Sequence, residues 1–64
     1  MKIAENLKQR RETKALSQAE LSRQSGVSQP MICEIEKGRK TPTVVVAKAL
    51  ADALHCSLDE LIGA

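Results

Sequence analysis

The 64-residue sequence predicts an all-α fold of five short helices. The composition lacks Phe, Tyr and Trp, so the core must consist of aliphatic side chains, which suit the close packing of short helices better than strand pairing. Ser and Thr residues typical of helix starts recur along the chain, and Gly or Pro separates the apolar segments. A chain of this length is expected to form one domain with a small core, residues 1–64.

The first helix is predicted over residues 2–14. Ile3, Leu7 and Arg11 recur at every fourth position and would share one face, while charged residues fill most other positions. Arg11 is the exception on this apolar face. A buried guanidinium is costly unless it is paired, so another segment must supply an acid to meet it.

The second helix is predicted to begin with a capping box. In Ser17-Gln18-Ala19-Glu20, the Ser hydroxyl and the Glu carboxylate can each satisfy a backbone N–H at the helix start. Leu21 would point to the core. Gly26 can take the left-handed conformation that commonly follows a helix end, so the helix should stop there.

The third helix is predicted to run from Gln29 to Lys37. Ser28 is a favourable N-cap, and Gly38 can end the helix as Gly26 ends the second. Pro30 falls in the first turn, where its missing N–H does no harm. It therefore helps to define the helix start rather than breaking the helix.

A fourth helix is predicted after the loop 37–42, with Thr43 or Thr41 as its N-cap. The three valines at 44–46 would also suit a strand, but the apolar residues continue with helical spacing for longer than strands usually do. The residues expected on the buried face are Val44, Ala47, Leu50, Ala51 and Leu54. A second capping box opens a short fifth helix within residues 57–62.

Composition and charge also restrict the setting of the chain. No run approaches the roughly 18 apolar residues that span a membrane, and the N-terminus lacks the apolar segment of a signal peptide, so a cytoplasmic protein is expected. Cys33 and Cys56 are then expected to be free thiols. The net charge is +2, yet residues 1–42 carry nine Lys or Arg against five acids, and residues 43–64 carry one against three. This distribution suits a surface that faces phosphates.

Two helices of about eight residues joined through Gly26 with almost no loop must cross steeply, as in a helix-turn-helix. From Leu7 to Leu61 the sequence resembles the Cro/cI-type (XRE) helix-turn-helix family of phage and bacterial repressors. The segments that carry the resemblance are Leu16-Ser17-Gln18-Ala19-Glu20-Leu21, Gly26-Val27-Ser28-Gln29, Ile32, Ile35-Glu36-Lys37-Gly38, Pro42 and Leu54. The resemblance implies a lambda-repressor-like fold whose helix-turn-helix, residues 17–36, uses the second and third helices.

By this resemblance the chain is a sequence-specific, double-stranded DNA-binding transcriptional regulator. It would be a repressor that reads the major groove with its third helix. The alternative is a DNA-binding antitoxin or another protein-interaction module with the same fold. No enzyme, cofactor or metal is expected, because His55 beside Cys56 supplies neither a catalytic set nor the ligand number and spacing of a zinc site.

The resemblance also implies a partner for Arg11. Members of the family pair an Arg of the first helix with the Glu that falls here at Glu36. We therefore expect Arg11 and Glu36 to form a partly buried ion pair that ties the first helix to the third. Its role would be to hold the fold, not to contact DNA.

Helical geometry, at about 100° per residue, places one set of third-helix residues on a face opposite Ile32 and Ile35. Those predicted to meet base edges are Gln29, Pro30, Cys33 and Glu34. Gln29 leads, because its amide can pair bidentately with adenine and the resemblance places a DNA-contacting Gln there. Pro30 can offer only shape or an apolar contact to a thymine methyl group. Cys33 stands where many relatives carry a polar residue. Glu34 either accepts from cytosine N4 or is a solvated or negatively selecting acid.

A second set of residues is expected to contact phosphates: Gln18, Ser28, Lys37, Arg39, Lys40 and Arg10. Gln18 is assigned on the resemblance, with support from the free N–H groups of a helix N-terminus. Arg39 and Lys40 lie in the loop after the third helix, although such a basic loop would look the same on an ordinary soluble protein.

A single recognition helix contacts only a few base pairs. Useful specificity therefore implies two copies on half-sites about 34 Å apart, on a two-fold symmetric operator. We expect a weak homodimer, at least on DNA, with its contact around Leu58 and Ile62 of the last helix and the loop before it.

Overall fold

The computed structural model describes residues 2–63 as five α-helices. Residues 1 and 64, the ends of the predicted domain, lie outside this range. The helices are α1 (Ile3–Thr13), α2 (Gln18–Ser25), α3 (Gln29–Glu36), α4 (Val44–Ala53) and α5 (Leu58–Ile62). The predicted all-α fold is confirmed, and residues 2–63 contain no strand. Over the same residues, no helix has the length and apolar character needed to span a membrane.

Hydroxyl side chains begin the helices after α1. Ser17 Oγ accepts from the N–H of Glu20 at 3.0 Å, and the Glu20 carboxylate accepts from the Ser17 N–H at 2.8 Å. The same reciprocal bonds form at residues 57–60, so both predicted capping boxes are present. Thr43 begins α4 by accepting from the N–H of Val46 at 3.2 Å, which decides between the two predicted N-caps.

The two glycines around α3 end helices as predicted. Gly26 has a φ of +77° and donates to the carbonyl of Ser22 at 2.9 Å. Gly38 has a φ of +75° and donates to the carbonyl of Ile35 at 3.0 Å. Glu36 is the last helical residue of α3, one before the predicted end. Only three residues, 26–28, separate α2 from α3, so the two helices must turn sharply.

All five helices contribute to one aliphatic core. Its buried residues are Ile3, Leu7, Leu21, Val27, Ile32, Ile35, Ala47, Leu50, Ala51, Leu54 and Leu61. Within this core α3 packs against α1 and α2, α2 packs against α4, and α5 packs against α1 and α4. The predicted buried faces of α1, α2 and α3 are therefore confirmed.

One residue of α4 does not follow the prediction. Val44 was expected on the buried face, but it is 73% exposed. It is the first residue of the helix, so its side chain lies beyond the core that packs under the later turns. Val46 is partly buried against the core in its place. The other four predicted residues of this face are buried.

The first and last helices are also joined by polar contacts. The side-chain amide of Asn6 donates to the carbonyl of Leu61 at 3.1 Å and to that of Glu60 at 3.4 Å. The N–H of Lys2 donates to the carbonyl of Ile62 at 3.1 Å. These bonds satisfy carbonyl groups at the end of α5, which have no partner within the helix.

Candidate nucleic-acid interface

The outward face of α3 carries the residues predicted to meet base edges. Gln29 and Pro30 are exposed, while Cys33 and Glu34 are half-buried. Ile32 and Ile35 are completely buried on the opposite face. This arrangement follows from the helical period, because burying the two isoleucines turns Gln29 and Pro30 outward. The exposed start of α3 is held by Ser28, whose hydroxyl accepts from the N–H of Met31 at 3.4 Å.

The ion pair implied by the resemblance joins α1 to the last residue of α3. Arg11 Nε donates to Glu36 Oε2 at 2.7 Å, and Nη2 donates to Oε1 at 3.0 Å. Arg11 Nη1 donates to the carbonyl of Leu16 at 2.8 Å. The hydrogen bond to Glu36 is the main reason that the pKa of Arg11 is raised above its ordinary value. Both charges are therefore held by several hydrogen bonds, as a buried pair requires.

Gln18 has a side-chain partner that the sequence alone does not predict. Its Nε2 donates to Glu36 Oε1 at 3.1 Å, the same oxygen that receives Arg11 Nη2. The amide nitrogen carries a second N–H that this bond leaves for another acceptor. Gln18 also opens α2, where the first backbone N–H groups have no carbonyl partner within the helix. The start of α2 thus offers several donors beside α3.

The basic loop after α3 begins in a defined position. The N–H groups of Arg39 and Lys40 both donate to the carbonyl of Glu34, at 2.9 Å and 3.3 Å. Arg39 Nη1 also lies 3.9 Å from Glu34 Oε1, although two-thirds of the Arg39 side chain is exposed. Lys37 and Lys40 are exposed as well. Three cations therefore stand next to the C-terminal end of α3.

Arg10 is the predicted phosphate contact that the structure separates from α3. Its Nη2 lies 3.6 Å from Glu60 Oε2, and with Leu54 and His55 it lines a cleft between α1 and the end of α4. Adjacent positions on a helix project about 100° apart. Since Arg11 points to α3, Arg10 points toward α5 instead.

The two cysteines and the histidine lie apart from any recognisable ligand set. Cys33 in α3 and Cys56 after α4 are free and half-buried. His55 is exposed and has a φ of +57°. Between residues 2 and 63, no three His, Cys, Asp or Glu side chains are grouped where they could hold a metal ion.

Comparison with known sequences assigns the chain to a family. A helix-turn-helix family model matches residues 7–61, which include all of the helix-turn-helix and most of the core. The class of protein is therefore a helix-turn-helix DNA-binding regulator and not an enzyme. Within that class, the chain belongs to the Cro/cI-type (XRE) family, with the lambda-repressor-like fold.

Several relatives carry the names of regulators. The chain is 38% identical over 60 residues to the uncharacterized HTH-type transcriptional regulator y4dJ of Sinorhizobium fredii, covering 94% of this chain and 78% of that one. It is 36% identical over 63 residues to the cryptic phage CTXphi transcriptional repressor RstR of Vibrio cholerae, covering 98% of this chain and 56% of RstR.

A third relative is longer still. The chain is 34% identical over 55 residues to the uncharacterized HTH-type transcriptional regulator Rv0474 of Mycobacterium tuberculosis, covering 86% of this chain and 39% of that protein. The match therefore spans most of y4dJ but about half or less of RstR and Rv0474. No solved structure gives a significant match to the chain.

Proposed function

We propose that this regulator is a repressor that reads the major groove of double-stranded DNA with the exposed N-terminal face of α3. The observation that carries the proposal is the exposure of Gln29 and Pro30 at the start of α3. Gln18, the first residue of α2, contacts Glu36 at the other end of α3. In helix-turn-helix proteins the N-terminal residues of the second helix reach base edges while the first helix crosses the backbone. The geometry of α2 and α3 is compatible with that docking.

Gln29 is the proposed base-reading residue. It is the first residue of α3 and is exposed, and an amide can pair bidentately with N6 and N7 of adenine. Pro30 would contribute either shape complementarity to the groove or an apolar contact with a thymine methyl group. Cys33 is half-buried, so only its outer edge is available for an apolar contact.

The proposed phosphate contacts surround this face on two sides. Gln18 and Ser28 open α2 and α3, where backbone N–H groups and the helix dipole favour an anion. Lys37, Arg39 and Lys40 follow α3 and are exposed. Phosphate contacts of this kind position the helix on the duplex and contribute most of the salt-dependent affinity. Arg10 is not included, because it lies beside Glu60.

The proposed DNA complex is a two-fold symmetric dimer. An apolar cleft lies between the start of α4 and α5, lined by Val44, Leu58 and Ile62 together with Pro42 and Ile3. A dimer formed here would cover Val44, which is 73% exposed in the single chain. The cleft includes Leu58 and Ile62, the two residues that the sequence predicts for self-contact. A weak interface here would join two copies on adjacent half-sites.

The repressor role is supported by the relative RstR, a transcriptional repressor by name. A transcriptional repressor acts on DNA, so we propose that this protein acts in the cytoplasm of a bacterium or an infected cell.

The test of the proposed function is to select bound duplexes from a random DNA pool and to repeat the selection with Gln29→Ala. We expect a two-fold symmetric site whose preference for adenine at one position per half-site is lost in the variant. Equal weakening on all sequences would make Gln29 a phosphate contact and contradict the proposal.

A further inference from the structure

We propose that Glu34 restrains the affinity of this protein for DNA of any sequence. Its carboxylate would hold Arg39 in the free protein and keep a negative charge on the DNA-facing side of α3. Glu34 would then set the overall affinity for DNA without contacting a base. This inference rests on the proposed function, because it concerns the same surface.

The backbone keeps the acid and the cation together. The carbonyl of Glu34 accepts from the N–H groups of Arg39 and Lys40, at 2.9 Å and 3.3 Å. These two bonds hold the backbone of Arg39 next to Glu34 in every rotamer of the Arg39 side chain. From there its Nη1 lies 3.9 Å from Glu34 Oε1. The contact results from the way α3 ends, in the left-handed turn at Gly38.

The other acid near the end of α3 is already neutralised. Glu36 is bound by Arg11 and Gln18, and its side chain is only 5% exposed. The Glu34 side chain is 33% exposed, and the Arg39 side chain is 66% exposed. Glu34 therefore keeps a charge that an approaching phosphate would meet, and Arg39 is the cation that it offsets.

An exposed pair of this kind contributes little to folding. Its effect should appear when DNA binds, because the phosphates compete with Glu34 for Arg39. Each phosphate neutralised by a protein cation steepens the dependence of log Kd on log salt by about 0.9. A cation offset by a neighbouring carboxylate contributes less than this. Sequence-independent binding is almost wholly electrostatic, so a random-sequence duplex reports a change in one phosphate contact without any contribution from base contacts.

The alternative role of Glu34 predicts the opposite sign. If its carboxylate accepts a hydrogen bond from cytosine N4, removing the charge would weaken binding to the selected site. It would then change the base preference at one position. If Glu34 restrains Arg39, removing the charge should strengthen binding to every duplex.

The experiment measures binding of the full chain and of Glu34→Gln to a labelled random-sequence duplex across a series of salt concentrations. The substitution keeps the shape of the side chain and leaves the backbone carbonyl in place. We expect Glu34→Gln to bind about 3- to 10-fold more tightly near 0.1 M salt, with a log–log slope that is steeper by at most about 0.9. The control Glu5→Gln makes the same charge change at an exposed position of α1 and should change the affinity by less than about 2-fold.

Repeating the measurement in an Arg39→Gln variant distinguishes the effect of the Glu34–Arg39 contact from the effect of the Glu34 charge alone. In Arg39→Gln, the further change Glu34→Gln should produce a clearly smaller gain, because the cation that it releases is gone. Unchanged or weaker binding by Glu34→Gln, or an equal gain in both backgrounds, would overturn the inference. Failure of the unmodified chain to bind any duplex would instead overturn the proposed function. Far-ultraviolet circular dichroism of each variant confirms that it is folded.

Discussion

Arg11 and Glu36 bind each other through two parallel hydrogen bonds, of 2.7 Å and 3.0 Å, although 25 positions separate them in the chain. Their side chains are only 11% and 5% exposed. Glu36 also receives the amide of Gln18, and Arg11 also donates to the carbonyl of Leu16. The ion pair and these two hydrogen bonds together connect α1, the turn that follows it, α2 and α3. A surface that reads DNA through α3 depends on this junction for its position.

Glu36→Gln is expected to destabilise the fold severely. The substitution leaves the guanidinium of Arg11 buried without its counter-charge, which costs about 3–5 kcal/mol. That loss is comparable with the whole free energy of unfolding of a domain this small, about 3–10 kcal/mol. Urea unfolding followed by far-ultraviolet circular dichroism measures it, since the chain has no aromatic residue to report by fluorescence.

The exposed pair of Lys48 and Asp52 provides the matched control. Its N–O distance is also 2.7 Å, but its side chains are 60% and 63% exposed. Asp52→Asn should therefore cost less than about 1 kcal/mol. Similar losses in Glu36→Gln and Asp52→Asn would show that burial does not determine the strength of the first pair.

The two capping boxes should make the stability of the protein depend on pH. Hydrogen bonds from the backbone N–H and the hydroxyl of Ser17 lower the pKa of Glu20, and those of Ser57 lower the pKa of Glu60. A folded pKa below the unfolded value means that this stabilisation is complete above the unfolded value of 4.5. It is lost as the pH falls through the folded pKa values.

Urea unfolding at several pH values tests this dependence. The double variant Glu20→Gln, Glu60→Gln keeps side chains that can accept the same backbone hydrogen bonds but removes the two titrating groups. We expect its stability to fall less steeply below about pH 4.5 than that of the unmodified chain. Parallel pH profiles would assign the acid sensitivity to other carboxylates.

Gly38→Ala should destabilise the end of α3 through backbone conformation alone. Gly38 has a φ of +75°, and a Cβ added there would meet no atom within 4 Å. The left-handed conformation costs a residue with a Cβ about 1–2 kcal/mol. Thermal and urea unfolding should give a loss of this size, and Gly38→Asn should lose less because Asn tolerates this conformation. A larger loss for Asn than for Ala would contradict this explanation.

Val44→Ser should weaken self-association without weakening the fold. Val44 is 73% exposed and lines the apolar cleft proposed as the dimer contact. Val45, the neighbouring residue, is 79% exposed and lines a different groove beside the turn between α2 and α3, so Val45→Ser is the control. Sedimentation on a selected operator should show two copies of the unmodified chain and of Val45→Ser, and fewer of Val44→Ser. Equal stoichiometry in all three would place the dimer contact elsewhere.

The sequence predicts the helices well because their ends depend on nearby residues. A Ser or Thr N-cap, a Glu three positions later and a Gly after the last turn act within a few residues of each other. The helical period likewise predicts which face is buried in α1 and α3. Val44 is the exception, since periodicity does not state where along a helix the core ends.

Contacts between helices are harder to predict from the sequence than helix ends. The bond from Gln18 to Glu36 depends on how α2 crosses α3, and that between Arg10 and Glu60 depends on how α5 packs on α1. Neither pair has a local signal, because their members lie 18 and 50 positions apart in the numbering. The pair of Arg11 and Glu36 was predicted only through resemblance to a family.

The bond between Asn6 and Leu61 joins residues 55 positions apart, so it closes a loop of the chain that contains α2, α3 and α4. The entropy lost in closing a loop rises only with the logarithm of its length, so this long closure costs little more than a shorter one. Unravelling that begins at the start of α1 or at the end of α5 must break this bond before it reaches the helices between them. We therefore expect the amides of α2 and α3 to exchange with solvent mainly through cooperative opening of the whole domain.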